Sequence, residues 1–332
     1  MAAQRARKFA LLAGQAQLSN ESLEQVYEDV RHLATAYPQR PLPEIIGDLV
    51  ITQDVVFSLL EARQRPDHAR QLYFLAGVTA GLLAKASHDT ADPHSALTQA
   101  RTAFLCADQA DHNALRAWIR GLQSQVTYWD GRYRESVRYA QQGAQFAEQS
   151  GSTANVWLPG CEARAWAALG NVPGARAAIE RAEDAWSRVQ DDDLDQLGGL
   201  CTYSRPRQLY YAADALAWLP SEAEAAEDYS AQAVAAYDDA EGSGSPDWAF
   251  GDQAGSRADL AVARIAQGEL EGASEALAPV LDLPPERRIR GIISSAQHVH
   301  DALRRAGLSE AFRDLQEEIE VFTRMPVKAL PR

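Results

Sequence analysis

The residues that could carry chemistry in this sequence form no recognised catalytic or metal-binding motif. His298 and His300 are two positions apart, so they project to different sides of a helix, unlike the i, i+4 pair that binds zinc. The acidic run from Asp191 to Asp193 lacks the spacing and the later glutamate of a calcium loop. There is no glycine loop for phosphate and no nucleophile elbow. We therefore predict no metal site and no cofactor.

A recurring pattern of turn glycines followed by small residues at helical spacing predicts pairs of packed helices. It is clearest over residues 261–280, around Gly268, and returns around Gly131 and Gly170, which lie 39 positions apart. A glycine permits a tight turn, and alanine after it lets two helices approach closely. This pattern resembles the tetratricopeptide repeat. It predicts an all-α chain, a right-handed superhelical solenoid of tetratricopeptide-like helix pairs.

The repeats suggest three regions of unequal length. We expect an N-terminal extension and first helix over residues 1–21, a single tetratricopeptide-like repeat domain over residues 22–322, and a C-terminal tail over residues 323–332. Within the repeat domain, the glycine- and aspartate-rich stretches 191–199 and 241–246 are predicted to be surface loops.

Charge and cysteine content limit the classes of partner. The net charge of −14 repels phosphate backbones and anionic lipid, so we predict neither direct nucleic-acid binding nor membrane binding. The basic cluster Arg5–Lys8 is interpreted as a solvated terminus. Three widely spaced cysteines are interpreted as reduced, buried side chains. With no apolar run long enough for a signal or a membrane span, we expect a cytoplasmic protein.

Four strings extend the resemblance from a repeat to a family. They are Leu115-Arg-Ala-Trp118-x-x-Gly121, Trp129-Asp-Gly-Arg-Tyr133, Gln208-Leu-Tyr-Tyr211 and Leu277-Ala-Pro-Val-Leu-Asp-Leu-Pro-Pro-Glu-Arg287. They resemble the carboxy-terminal sensor region of actinobacterial Xre-type helix-turn-helix transcriptional regulators. The resemblance runs from about Ser22 to about Leu303, and it implies a sensing role. Such regulators begin with a DNA-binding domain of roughly 60–80 residues, whereas repeats begin here by about residue 22.

The first helix of each pair should line the concave face of the solenoid. Counting back from the turns at Gly131 and Gly170, and from Ala91 and Ser221 taken as equivalent turns, selects the candidate ligand-binding residues Lys85, His88, Trp118, Gln125, Tyr128, Trp157, Arg164, Gln208, Tyr211 and Trp218. Aromatic rings mixed with a few donors are typical of a ligand cleft. The cations favour a peptide terminus or a small anionic metabolite. The alternative is that the aromatic residues only pack repeat against repeat.

Two functions are open at this stage. The first is a ligand- or peptide-binding sensor, alone, with a protein partner or as a homodimer. In it Arg164 orients the ligand, so its loss should weaken binding with little effect on stability. The second is a natural-product biosynthetic enzyme or accessory protein that uses the groove as a reaction chamber, with Tyr128, Arg164, Asp214 and Tyr211 as its reactive groups. The turn Ser204–Arg207 is either a basic groove edge or, as we favour, a solvated loop.

Overall fold

The computed structural model describes residues 18–190, 192–307 and 312–327, and it contains fourteen α-helices and no strand within those ranges. The cluster Arg5–Lys8 lies outside the described residues. None of the described helices is both long enough and apolar enough to cross a membrane. The helices are α1 Asn20–Ala36, α2 Leu42–Glu61, α3 Pro66–Asp89, α4 Pro93–Gln109, α5 Asn113–Trp129, α6 Tyr133–Ser150, α7 Ala154–Ala168, α8 Val172–Ala185, α9 Arg205–Ala217, α10 Ala223–Ser243, α11 Phe250–Gln267, α12 Leu270–Leu281, α13 Arg290–Arg305 and α14 Arg313–Thr323.

Consecutive helices pack as pairs, from α3 with α4 to α11 with α12, which confirms the predicted all-α repeat architecture. The three predicted turn glycines all have left-handed backbone, with φ of 73° at Gly131, 74° at Gly170 and 85° at Gly268. Glycine adopts this conformation without the steric cost that a Cβ atom imposes. Ala91 takes the same conformation at the α3–α4 turn, with φ of 62°. The equivalence assumed for Ala91 therefore holds.

Two other predicted boundaries are wrong. Ser221 lies in a short 3-10 turn, Pro220–Glu222, and is not a left-handed turn residue, so it is not equivalent to Gly131 and Gly170. The first residues of the predicted loop 241–246 are helical, because α10 continues to Ser243. Gly244, with φ of 66°, follows the last residue of the helix.

The first helices of neighbouring pairs are held together by tryptophan rings that lie on glycines. The Trp118 ring from α5 covers Gly81 of α3, and the Trp157 ring from α7 covers Gly121 of α5. A Cβ atom at either glycine would overlap the ring above it. Since a missing side chain makes room for each ring, both tryptophans pack one repeat against the next.

The array curls until helices that are far apart in sequence meet. The Phe250 amide at the start of α11 donates a hydrogen bond to the Pro38 carbonyl after α1, at 3.1 Å. On the other side, Arg290 of α13 donates to the Trp129 carbonyl at the end of α5, at 2.9 Å. These contacts close the groove, so the concave face becomes the interior of the molecule.

The long connection between α8 and α9, residues 186–204, enters this interior and is called here the connecting segment. Leu194 and Leu197 are 1% and 0% exposed. The Thr153 amide and hydroxyl at the start of α7 donate to the Asp195 carboxylate at 3.0 and 2.5 Å, which fixes the segment. The prediction of a surface loop over 191–199 is therefore wrong for Leu194, Asp195 and Leu197, which are buried, whereas Asp193 and Gln196 are exposed. Its leucines are buried against the core, which an aspartate-rich composition does not indicate.

Candidate ligand site in the concave interior

A small cavity lies where α3, α5, α7, α9, α11 and the connecting segment converge. Its walls include five of the ten predicted site residues, Lys85, Trp118, Gln125, Trp157 and Tyr211. The space open to water-sized occupants is about 30 Å³, which is room for about two water molecules. The predicted residues of α3, α5 and α7 therefore lie on the inner faces of these helices. The connecting segment fills part of the groove, so the cavity is narrower than the groove of an open solenoid.

The two tryptophans of the cavity differ in the state of their indole N–H groups. Trp118 Nε1 donates to the Leu200 carbonyl of the connecting segment at 2.9 Å. Trp157 Nε1 is buried and has no hydrogen-bond partner, and its ring stacks on Tyr203 with centroids 6.3 Å apart. A buried donor without a partner costs about 1–3 kcal/mol. Trp157 therefore offers a free donor at the cavity wall.

Each cation of the cavity already has a carboxylate partner. Lys85 Nζ lies 2.5 Å from Asp89 Oδ1 on the same helix. Arg207 Nε donates to Asp252 Oδ2 across α9 and α11, at 2.6 Å. The cations were expected to favour an anionic ligand, but these pairs cancel their charge. The charged groups of the wall itself are the cations Lys85 and Arg207 and the carboxylate Asp252, whereas Asp89 does not line the cavity.

A second group of predicted residues surrounds Asp214 on α9. Arg164 Nε donates to Asp214, and the guanidinium lies 4.3 Å from the ring centroids of both Tyr128 and Tyr211. The Tyr128 hydroxyl donates to the same carboxylate at 2.9 Å and accepts from Trp218 Nε1 at 2.7 Å. The structure thus joins Tyr128, Arg164, Tyr211 and Trp218 into one buried network, the Asp214 cluster.

The four groups proposed for catalysis all belong to this cluster, in which Tyr128 and Arg164 both donate to Asp214 and the Tyr211 ring packs on Arg164. Burial and the Asp214 charge raise the pKa of Tyr128 well above its usual value, so its phenol is neutral and a poor base. Burial alone would lower the pKa of Arg164, but Asp214 outweighs it and the guanidinium stays charged. Arg164 is only 2% exposed. The expectation that its loss leaves stability unchanged is therefore reversed.

Two neutral groups with unpartnered atoms face the Arg164 charge. His88 Nδ1 and Asp259 Oδ2 are buried without hydrogen-bond partners, as is Arg164 Nη2. Burial, together with the charges of Lys85, Arg290 and Arg164, holds the pKa of His88 well below its usual value. Burial and the Asp214 charge raise the pKa of Asp259 well above its usual value. Both shifts favour the uncharged side chain, and both side chains have hydrogen-bonding capacity to spare.

Gln208 does not face the cavity. Its side-chain oxygen accepts from Trp186 Nε1 at the end of α8 and from Arg205 Nη1 at 2.5 Å. Its inward orientation was inferred from the turn at Ser221, which does not exist as such. The prediction of Gln208 as a ligand contact is therefore not supported by its position.

Several wall residues were missed because they come from distant parts of the chain. Thr153 and Tyr203 line the cavity, and the Tyr203 amide donates to the Thr153 hydroxyl at 2.9 Å. Arg207 also lines it, so the groove-edge interpretation of the Ser204–Arg207 turn, which we had not favoured, is the one that the structure supports. That turn was the only local signal. Nothing near Asp252 in sequence indicates that it pairs with Arg207.

The comparisons with known proteins add one structural likeness. No family model and no curated protein sequence matches the chain. Among solved structures, the chain is similar to a crystal structure of a Rap protein complexed with competence and sporulation factor, with a TM-score of 0.46 and 12% sequence identity. The match covers 91% of this chain and 96% of that chain. This identity is too low to relate individual side chains.

Proposed function

We propose that this chain is a helical-repeat binding protein that takes a small ligand into its concave interior and acts as a cytoplasmic sensor. The observation that carries the proposal is the unpartnered Trp157 N–H, because Trp157 is part of the wall of a cavity that Gln125 also lines. Buried polar groups in folded proteins are nearly always satisfied. A bound acceptor would supply what Trp157 lacks.

The ligand that fits these walls carries both signs of charge and an apolar part. The pairs Lys85–Asp89 and Arg207–Asp252 present both signs, and the aromatic rings present flat apolar surface. A short peptide or a zwitterionic metabolite matches this combination better than a simple anion does. Because the cavity now has room for about two waters, binding must widen it.

Widening of the cavity would couple ligand binding to a change in the shape of the protein. The cavity is walled by the first helices of five different pairs, and stacked pairs shift relative to one another by small rotations. A ligand between them would change the curvature of the array and the closure at Arg290 and Phe250. The resemblance to regulator sensor regions supports a role in transcription control, exerted through a separate DNA-binding protein because this chain is strongly acidic.

The test pairs native mass spectrometry of protein purified from its own host with two conservative variants. Trp157→Phe keeps a ring over Gly121 but removes the N–H, whereas Trp166→Phe changes a tryptophan whose Nε1 donates to Glu162 outside the cavity. We expect a retained small molecule in the wild type and in Trp166→Phe, and its loss in Trp157→Phe. Equal retention by both variants would place the ligand elsewhere.

A further inference from the structure

The inward faces of α3, α5, α7, α9 and α11 carry a second set of side chains next to the cavity wall. The wall includes one residue from each helix, namely Lys85, Gln125, Trp157, Tyr211 and Asp252. Residues three or seven positions apart lie on the same face of a helix. At those distances further along the same five helices lie His88, Tyr128, Arg164, Asp214 and Asp259. These five residues are called here the second layer.

The second layer is one group, centred on Arg164. The Asp214 cluster already joins three of its members by hydrogen bonds. Gly255 of α11 lies against the Tyr210 ring, whose centroid is 5.6 Å from the Arg164 guanidinium. Asp259 follows Gly255 by one helical turn, on the same face. The charge of Arg164 acts on both Asp259 and His88, so both side chains lie around the guanidinium.

Three residues of the second layer hold buried polar atoms that have no hydrogen-bond partner. These atoms are Nδ1 of His88, Nη2 of Arg164 and Oδ2 of Asp259. The three residues are only 1%, 2% and 2% exposed. Buried polar atoms in folded proteins nearly always have a partner. An occupant that supplies three hydrogen bonds would therefore complete the layer.

The second layer favours an uncharged occupant. The Asp214 carboxylate forms an ion pair with the Arg164 guanidinium, so these two charges cancel. Burial favours the uncharged forms of His88 and Asp259, since it lowers the pKa of the first and raises the pKa of the second. A charged group would enter this layer without a counter-charge, which is costly in a buried site.

The cations that act on His88 from outside the layer do not change this balance. Lys85 is paired with Asp89, and Arg290 lies 3.6 Å from Asp130. Each of these cations therefore has its own carboxylate. An anionic ligand gains no unpaired positive charge from them.

The three unpartnered atoms present one donor and two acceptors. Arg164 Nη2 can only donate a hydrogen bond. Asp259 Oδ2 accepts when the carboxyl proton is on the other oxygen, and His88 Nδ1 accepts when the imidazole proton is on Nε2. A primary carboxamide has the complementary set, one carbonyl oxygen and two N–H groups, and it carries no charge.

We propose that the second layer binds the primary carboxamide of a small ligand, whose carbonyl oxygen accepts from Arg164 and whose N–H groups donate to Asp259 and His88. This inference rests on the proposed function, because the rest of the ligand would occupy the cavity beside Trp157 and Tyr211. Such a ligand needs the same widening of the cavity as the proposed function does.

The test compares four probes that share a benzene ring and differ in their polar group. Benzamide, N-methylbenzamide, benzoate and benzylamine are each titrated into the protein by calorimetry. We expect benzamide to bind at least about ten-fold more tightly than benzoate and benzylamine, because the two ions lose their hydration without gaining a counter-charge. Tighter binding of either ion would overturn the proposal.

N-methylbenzamide distinguishes a primary carboxamide from a peptide bond. It keeps the carbonyl oxygen but has only one N–H group, so it leaves one acceptor of the layer without a partner. We expect it to bind about ten-fold more weakly than benzamide. Equal binding of the two amides would contradict the primary carboxamide and would indicate a secondary amide.

Three variants of α11 locate the probe. Asp259→Leu removes the acceptor, and Asp259→Asn restores a carbonyl oxygen. Ser256→Ala is the matched control, because the buried Ser256 hydroxyl donates within its own helix, to the Asp252 carbonyl at 2.8 Å. We expect Asp259→Leu to weaken benzamide binding about ten-fold, and the other two variants to bind it like the wild type. Unchanged far-ultraviolet circular dichroism would show that all three fold.

Two results would overturn the proposal while leaving the proposed function intact. One is equal affinity of the wild type and Asp259→Leu for benzamide, which would mean that water completes the second layer. The other is absence of benzamide binding by the wild type. In either case, loss of the ligand retained from the host in Trp157→Phe would still identify the cavity as a ligand site.

Discussion

Replacing Gly121 with alanine tests whether α5 and α7 are tightly packed at this contact, because the substitution adds one methyl group there. A Cβ atom at Gly121 would lie 2.5, 2.7 and 2.9 Å from Cζ3, Cε3 and Cη2 of Trp157, closer than Cβ atoms are found in proteins. Overpacking of this kind costs about 1–3 kcal/mol. The alanine also gains up to about 1 kcal/mol of helix propensity. We therefore expect Gly121→Ala to lower the free energy of unfolding by about 1–2 kcal/mol.

Gly47→Ala is the matched control. Gly47 is also inside a helix, α2, and a Cβ atom there would meet nothing within 4 Å. The propensity term then acts alone, and we expect a gain of up to about 1 kcal/mol. Urea unfolding followed by far-ultraviolet circular dichroism measures both variants. The double variant Gly121→Ala with Trp157→Leu should recover part of the loss, because the smaller side chain leaves room for the methyl group.

Equal stabilisation by the two alanines would refute the reasoning. It would mean that Trp157 moves off Gly121 without cost, so that the ring is not held in the cavity wall by packing. Destabilisation that the Trp157→Leu change does not relieve would also count against it, since the clash is specific to that ring.

Three further predictions concern buried groups. Arg164→Ala should lower the free energy of unfolding in urea by about 3–5 kcal/mol, because it leaves Asp214 buried without its cation. Arg40→Ala, at an exposed ion pair, should lower it by under about 1 kcal/mol. Similar losses in the two variants would contradict a structural role for Arg164. Asp259→Asn should stabilise the protein more at pH 7 than at pH 4.5. The Asp259 carboxyl binds its proton more tightly in the folded protein, whereas in the unfolded chain it ionises above about pH 4, so the wild type loses stability as the pH rises above that value. An equal gain in the free energy of unfolding at both pH values would contradict this prediction. The three buried cysteines should react with a thiol reagent only after urea is added, since burial raises the pKa of Cys106, for example, to about 11. Rapid labelling of the native protein would contradict this prediction.

The sequence determined those features that depend on neighbouring residues. The turns at Gly131, Gly170 and Gly268 need a left-handed backbone, and glycine marks such positions locally. Helical periodicity then fixed which side chains of α5 and α7 face inward, so Trp118 and Trp157 were placed correctly. On α9 the count from Ser221 selected Tyr211, which lines the cavity, but also Gln208, whose side chain accepts from Trp186 instead.

Only the tertiary structure decided the partners and the closure. Arg164 and Asp214 are 50 positions apart, and the Pro38–Phe250 contact joins the start of α11 to the end of α1. Periodicity carries no information about such pairs, because it describes one helix at a time and not the accumulated rotation between successive pairs. That rotation closes the groove around the connecting segment. It turned an expected open, cationic groove into a narrow interior in which Lys85 and Arg207 are each paired with a carboxylate.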